Sequence, residues 1–125
     1  MAKFSDLLGK TLTRIDTEGA GDDTIRFFTS DGLEYVMQHY QDCCENVYLE
    51  DVSGDLKDLI GSPIALAEET TNSDPEPEVP AGADLSYTWT YYKLATALGY
   101  VTLRWFGTSN GYYSESVDFE VVRQP

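Results

Sequence analysis

The sequence predicts an α+β domain dominated by antiparallel β-sheet, with six to eight strands and two short helices. Three observations carry that expectation. Apolar and polar residues alternate at period two along 85–91 and 115–122, as they do in half-buried strands. Asp-Gly and Asn-Gly pairs stand between strand-like runs, where tight hairpin turns use them. Helical spacing of apolar residues is confined to two segments, each about one turn long.

The first of these, Phe4-Ser5-Asp6-Leu7-Leu8, places apolar side chains at i, i+3 and i+4 ahead of Gly9, a residue suited to ending a helix. Leu56-Lys57-Asp58-Leu59-Ile60 repeats the pattern ahead of Gly61, with Ser53, Gly54 and Asp55 as cap candidates and Pro63 behind. Both lead into β-favouring stretches, 11–16 and 64–69, with Leu12 and Ile64 at the same distance after the glycine. This is a short internal echo, in which each turn would pack Leu7/Leu8 or Leu59/Ile60 onto sheet.

Between the two copies, strand-like runs 24–29 and 33–39 flank Ser30-Asp31-Gly32, which predicts a hairpin. A further strand is expected over 47–52, reached through the polar tract 41–46. Residues 71–84 hold three prolines, repeated acids and Gly82 without any apolar period, so a mobile loop is expected there. In the C-terminal third, Leu85, Tyr87, Trp89 and Tyr91 form one face of a strand. Runs 100–106 and 115–122 continue the meander, and Asn110-Gly111 predicts a hairpin joining them.

With 125 residues, 42% of them apolar and 13% aromatic, the chain has the material for one domain, 1–125, with a real core. No apolar run is long enough to span a bilayer, and the first residues lack the apolar stretch of a secretory signal, so a cytoplasmic protein is expected.

Charge narrows the partners. There are 22 acids against 8 bases, a formal charge of −14, and no three bases cluster. Direct nucleic-acid binding needs a basic stripe that displaces counterions, so it is excluded, and anionic membranes are disfavoured for the same reason. The acids fit either a plain solubilising surface or attraction to a basic protein, including one that normally holds nucleic acid. Acids on predicted loops and turns are Asp16, Glu18, Asp22, Asp23, Asp31, Asp74, Glu76 and Glu78. Monomer and dimer both remain open, because a sheet has edges that charge can protect or pairing can cover.

Two constellations carry chemistry. His39-Tyr40-Gln41-Asp42-Cys43-Cys44-Glu45 brings imidazole, thiols and carboxylates together. Adjacent cysteines rarely reach one ion together, and there is neither a CxxC pair nor a second histidine, so no metal or other cofactor is expected. A Cys43 or Cys44 nucleophile with His39 as base is disfavoured too, since Asp42 and Glu45 would raise the thiol pKa. The plain reading makes the cysteines reduced thiols buried at a strand junction, with His39 ending the Leu33, Tyr35, Met37 face.

The second constellation is Arg104-Trp105-Phe106-Gly107-Thr108-Ser109-Asn110-Gly111-Tyr112-Tyr113-Ser114-Glu115. Rigid aromatics mixed with small hydrogen-bonding residues are typical of recognition loops. Together the two tracts suggest a ligand pocket from His39, Asp42, Cys43, Cys44, Glu45, Arg104, Trp105, Ser109, Asn110, Tyr112 and Tyr113. A small nucleotide is one candidate occupant, with tyrosines stacking on a base and Arg104 neutralising a phosphate. No hydrolase elbow, phosphate-binding loop or dinucleotide fingerprint is present, so a non-catalytic protein is expected.

The stretches Asp42 to Asp51 and Gly107 to Val117, with Asp58-Leu59-Ile60-Gly61-Ser62-Pro63 and Tyr87-Thr88-Trp89-Thr90, resemble a family of short uncharacterised domains from bacteriophages and bacteria. The resemblance covers most of the chain and carries no catalytic or binding residue with it. What it implies is context, an accessory or anti-defence role exercised by binding host machinery.

Overall fold

The computed structural model describes residues 2–73, 78–80, 82–83 and 85–123. Two four-stranded antiparallel sheets face each other across one core. The first has the order β1 (Leu12–Asp16), β2 (Thr24–Thr29), β3 (Leu33–Gln38) and β8 (Asp118–Arg123). The second has the order β5 (Leu66–Asn72), β6 (Ser86–Thr96), β7 (Gly99–Ser109) and β4 (Asn46–Ser53). Single 3-10 turns precede β1 and β5, at Phe4–Leu7 and Leu56–Leu59.

Written this way, the sheets are equivalent. β1, β2 and β3 correspond to β5, β6 and β7, and each trio is completed by the fourth strand of the other half. The chain therefore consists of two tandem units, each a 3-10 turn and four strands, that have exchanged their last strands. The junction is reciprocal in atomic detail. One and the same shift along the chain carries Phe4–Leu7 onto Leu56–Leu59, Gly9 onto Gly61, Thr11 onto Pro63 and Leu12 onto Ile64. The Gly9 N–H donates to the Ile64 carbonyl at 2.8 Å, and the Gly61 N–H donates to the Leu12 carbonyl at 3.0 Å. Thr11 and Pro63 bridge each other directly, which places them on a pseudo-twofold axis. Gly9 and Gly61 both take positive φ, 81° and 90°, the backbone state that ends each turn and that a side chain disfavours.

Alternation along the strands assigns the faces. Ile25, Phe27, Tyr35, Met37 and Phe119 of the first sheet meet Leu49, Tyr92, Leu94, Leu103 and Trp105 of the second. Phe4, Leu7 and Leu59 plug the core from the two turns, while Leu8 is 49% exposed. Phe4 touches both sheets, with its ring 4.6 Å from Tyr92 and 5.5 Å from Phe119 between centroids.

Three expectations change. The Tyr87, Trp89, Tyr91 face of β6 is the outer one, and Tyr92 and Leu94 fill the core instead. Trp89 is nonetheless buried, against Phe106 on the same outer face at 4.7 Å. Both faces of β6 are thus apolar, so period two alone does not tell inside from outside. The Ser30-Asp31-Gly32 hairpin forms, joining β2 to β3. The one expected at Asn110-Gly111 does not, because β7 lies between β4 and β6 and the chain crosses there to the other sheet. Finally, β5 continues through Thr71 and Asn72, two residues into the expected mobile loop. Asp74 and Glu76 fall outside the described residues.

Candidate functional site

The two crossovers, 39–45 between β3 and β4 and 110–117 between β7 and β8, lie at the end of the sandwich away from the Thr11/Pro63 axis contact. They are counterparts, and each closes around a carboxylate. In the first, the His39 Nε2 is 2.6 Å from Glu45 Oε2. Glu45 also accepts from the backbone N–H groups of Asp42 and Cys43, both at 2.9 Å, and from the Gln41 amide at 3.2 Å. In the second, the Ser109 hydroxyl donates to Glu115 Oε2 at 2.5 Å and the Thr88 hydroxyl donates to Oε1 at 2.8 Å. Side chain and carboxylate are six residues apart in both loops.

His39 and Glu45 are almost inaccessible, with side-chain exposures of 3% and 0%. The hydrogen bond from His39 is the main reason that Glu45 is held down at about 2; desolvation opposes it, and the Cys43 and Asp42 N–H groups add to it. The other ring nitrogen, Nδ1, lies 2.6 Å from the Ser116 carbonyl, which ties the first crossover to the second. Both His39 nitrogens are therefore engaged within the fold.

The cysteines depart from expectation. Cys43 and Cys44 are joined in a disulfide, and both are exposed. The turn directs the Asp42 and Cys43 N–H groups inward to Glu45 and leaves both cysteine side chains at the surface. Among the described residues no group of three or more His, Cys, Asp or Glu side chains is placed to hold a metal ion.

The second constellation is divided by strand alternation. Trp105 is fully buried in the core. Arg104 points to the outer face, where its Nε donates to Glu50 Oε1 at 2.6 Å and its guanidinium lies over Trp89. Ser109 is buried beneath the crossover and accepts from the Gly111 N–H at 2.9 Å. Asn110 Oδ1 accepts from the Tyr112 N–H, and Tyr112 is 84% exposed with Tyr113 edge-on at 5.0 Å. The fold gathers His39, Asp42, Glu45 and Ser114 around one hollow. Arg104 and Trp105 leave β7 on opposite faces, away from it.

A larger groove runs beside this hollow, along the open side of the sandwich between β5 and β8. Its volume is about 560 Å³, with Phe4, Ala67 and Tyr92 as floor and Glu69, Asp118 and Glu120 as walls. Tyr40 and Asp118 are shared with the hollow at His39. A third cavity, of about 410 Å³, shares Glu69 and is lined by Thr88, Thr90 and Glu115. The three acids meet neutral donors. Glu69 accepts from the Tyr92 hydroxyl at 3.2 Å, Asp118 from the Tyr40 N–H at 2.9 Å, and Glu120 from the Tyr40 hydroxyl. Burial, reinforced by Glu69, pushes the Tyr92 phenol far up, so it stays a donor. None of the ion pairs among the described residues involves these three acids. Sequence reading missed them because the groove comes from three distant segments; the only linear trace was the outward alternation of Asp118 and Glu120.

Residues 5–119 match the profile of a domain of unknown function, DUF7448. The chain belongs to that family. No curated protein and no solved structure matches it. Among the described residues, no helix of this DUF7448 domain is long and apolar enough to cross a membrane.

Proposed function

We propose that this protein is a non-catalytic, acidic binding protein of phage type, an accessory or anti-defence factor that engages a basic surface of a host protein. The partner's surface would be one that normally meets nucleic-acid phosphates. The observation that carries the reading is the groove between β5 and β8, whose carboxylates Glu69, Asp118 and Glu120 meet only neutral donors among the described residues. Lys10, Arg14, Arg26 and Arg104 are tied to acids of the same chain, whereas Glu69, Asp118 and Glu120 are in no ion pair among the described residues and Lys3 is the one base lining their groove. Lysine or arginine side chains entering it would exchange water for charge-assisted hydrogen bonds.

Salt and isosteric neutralisation test this together. The protein and its Glu69→Gln, Asp118→Asn, Glu120→Gln triple variant serve as baits for host lysate at low and high ionic strength. Screening shortens from about 10 Å at 0.1 M to about 3 Å at 1 M, so true partners should elute with salt and be missed by the variant. Retention of the same proteins by both baits at both salt concentrations would refute the proposal.

A further inference from the structure

Two edges of this sandwich, β1 and β4, are protected. β1 carries a bulge between Leu12 and Arg14, and the Gly61 N–H bonds the Leu12 carbonyl at its start. β4 carries a bulge between Leu49 and Asp51 and is also strapped. The Gly21 N–H donates to the Leu49 carbonyl at 2.7 Å, and the Leu49 N–H donates to the Asp22 carbonyl at 2.8 Å. That reciprocal pair is how an antiparallel neighbour engages a strand, so the β1–β2 connection acts as a short added strand on β4.

β8 is the pseudo-twofold counterpart of β4 and shows neither device among the described residues. Its register against β3 is unbroken from Gln38/Asp118 to Leu33/Arg123. Among the described residues no backbone group is bonded to its outer edge. β8, Asp118 to Arg123, contains no proline or lysine, two residues that deter strand addition, and its charged members within 118–122 are the acids Asp118 and Glu120. Val121 and Val122 are 41% and 39% exposed, and the groove opens directly beside Asp118, Phe119 and Glu120.

We propose that the outer edge of β8 receives an extended segment of a partner protein as an added strand, with basic and apolar side chains alternating along it. This rests on the acidic-groove reading and names its binding mode. Alternation fixes the pattern. On an added strand, every second side chain lies over Phe4, Ala67 and Tyr92, and the intervening ones stand beside Asp118 and Glu120 as cross-strand neighbours. Apolar residues suit the first set and lysine or arginine the second. A second copy of this chain fits poorly, because antiparallel pairing of two β8 strands would set Asp118 and Glu120 of one against those of the other. Main-chain hydrogen bonds would supply affinity and the acids selectivity, as in other cases of strand addition.

The probe is a short acetylated, amidated peptide alternating lysine and valine, compared with the same peptide N-methylated at alternate residues. The second keeps charge and shape but cannot donate to a strand edge. Binding is followed by titration, and strand addition by slowed hydrogen exchange at β8 amides. The expected result is binding of the first peptide with protection of β8, about tenfold weaker binding of the N-methylated form, and about tenfold loss with Glu120→Gln. Equal binding of both peptides, lost with Glu120→Gln and without β8 protection, would overturn strand addition and leave the acidic groove standing. No binding of either would remove both. Concentration-dependent β8 protection in the protein alone, with a dimer by light scattering, would make a second copy the occupant and overturn the proposal.

Discussion

If the two 3-10 turns are equivalent plugs of one core, Leu7→Ala and Leu59→Ala should cost the same. Both leucines are fully buried, at 0% exposure, and both occupy the last position of their turn. Truncating a buried leucine forfeits its transfer energy and leaves a cavity, together about 3 to 5 kcal/mol. Against a total of about 5 to 15 kcal/mol for a domain, that is a large share. At this chain length each kcal/mol moves the melting point by about 4 °C, so both variants should melt about 12 to 20 °C lower. Urea unfolding, read by the fluorescence of buried Trp89 and Trp105, gives the free energies directly. Leu8→Ala is the control, because Leu8 is 49% exposed and should lose less than about 1 kcal/mol. Equal losses for Leu7→Ala and Leu8→Ala would refute the assignment of the buried face. A gap above about 2 kcal/mol between Leu7→Ala and Leu59→Ala would refute the equivalence of the two turns.

Further outcomes follow from single contacts. Glu45 has its pKa lowered from 4.5 to about 2 by folding, so its carboxylate contributes stability above 4.5 that is lost as pH falls toward 2. Wild type should therefore exceed Glu45→Gln most at neutral pH, with the gap closing through that window in thermal melts; a constant gap contradicts the linkage. At Gly107 a Cβ would sit 2.5 Å from the Glu115 carbonyl oxygen, so Gly107→Ala should cost about 1 to 3 kcal/mol in urea unfolding, and an unchanged midpoint would mean the crossover yields freely. Asp22 accepts from the Thr17 hydroxyl and the N–H groups of Glu18 and Asp23, which shapes the strap over β4. Asp22→Ala should cost about 1 kcal/mol and speed exchange of the Leu49 amide about tenfold, and an unaltered rate would show that the strap holds without it.

The local rules of the sequence were legible where a single element answers to a single signal. Thr24–Thr29 and the Ser30-Asp31-Gly32 turn are read directly, because alternation and a turn residue each act within a few positions. The repeated Leu-Leu-Gly and Leu-Ile-Gly motifs mark the two turns, although nothing local says that Gly9 and Gly61 bond across to each other's strand. Face assignment on β6 failed for a physical reason: Trp89 and Tyr92 are both buried, on opposite sides, so apolar character carries no direction. Pairing of β7 with β4 and not β8 is likewise invisible, since Asn110-Gly111 can open a crossover as readily as a hairpin. Of the candidate residues, His39 and Glu45 meet because the five intervening positions fold back on themselves, whereas Glu69 meets Asp118 only through the exchange of fourth strands.

That exchange also tells where selectivity can reside. A pseudo-twofold scaffold builds each feature twice, so whatever serves only the fold should recur in both halves, as the 3-10 plugs and the loop carboxylates Glu45 and Glu115 do. The features that break the symmetry are of another kind. One half ties its loop carboxylate with an imidazole that also grips the opposite crossover, and the other uses a serine. One fourth strand is bulged and strapped, and the other is regular, with no strap among the described residues. Stability demands neither difference, since each half demonstrates a workable alternative for the other. The unstrapped strand adjoins the groove whose acids are in no ion pair among the described residues, while the strapped one flanks the face where Glu50 already holds Arg104. Asymmetry of shape and asymmetry of charge therefore fall on the same side of the molecule, and a folding requirement shared by both halves would not have put them there.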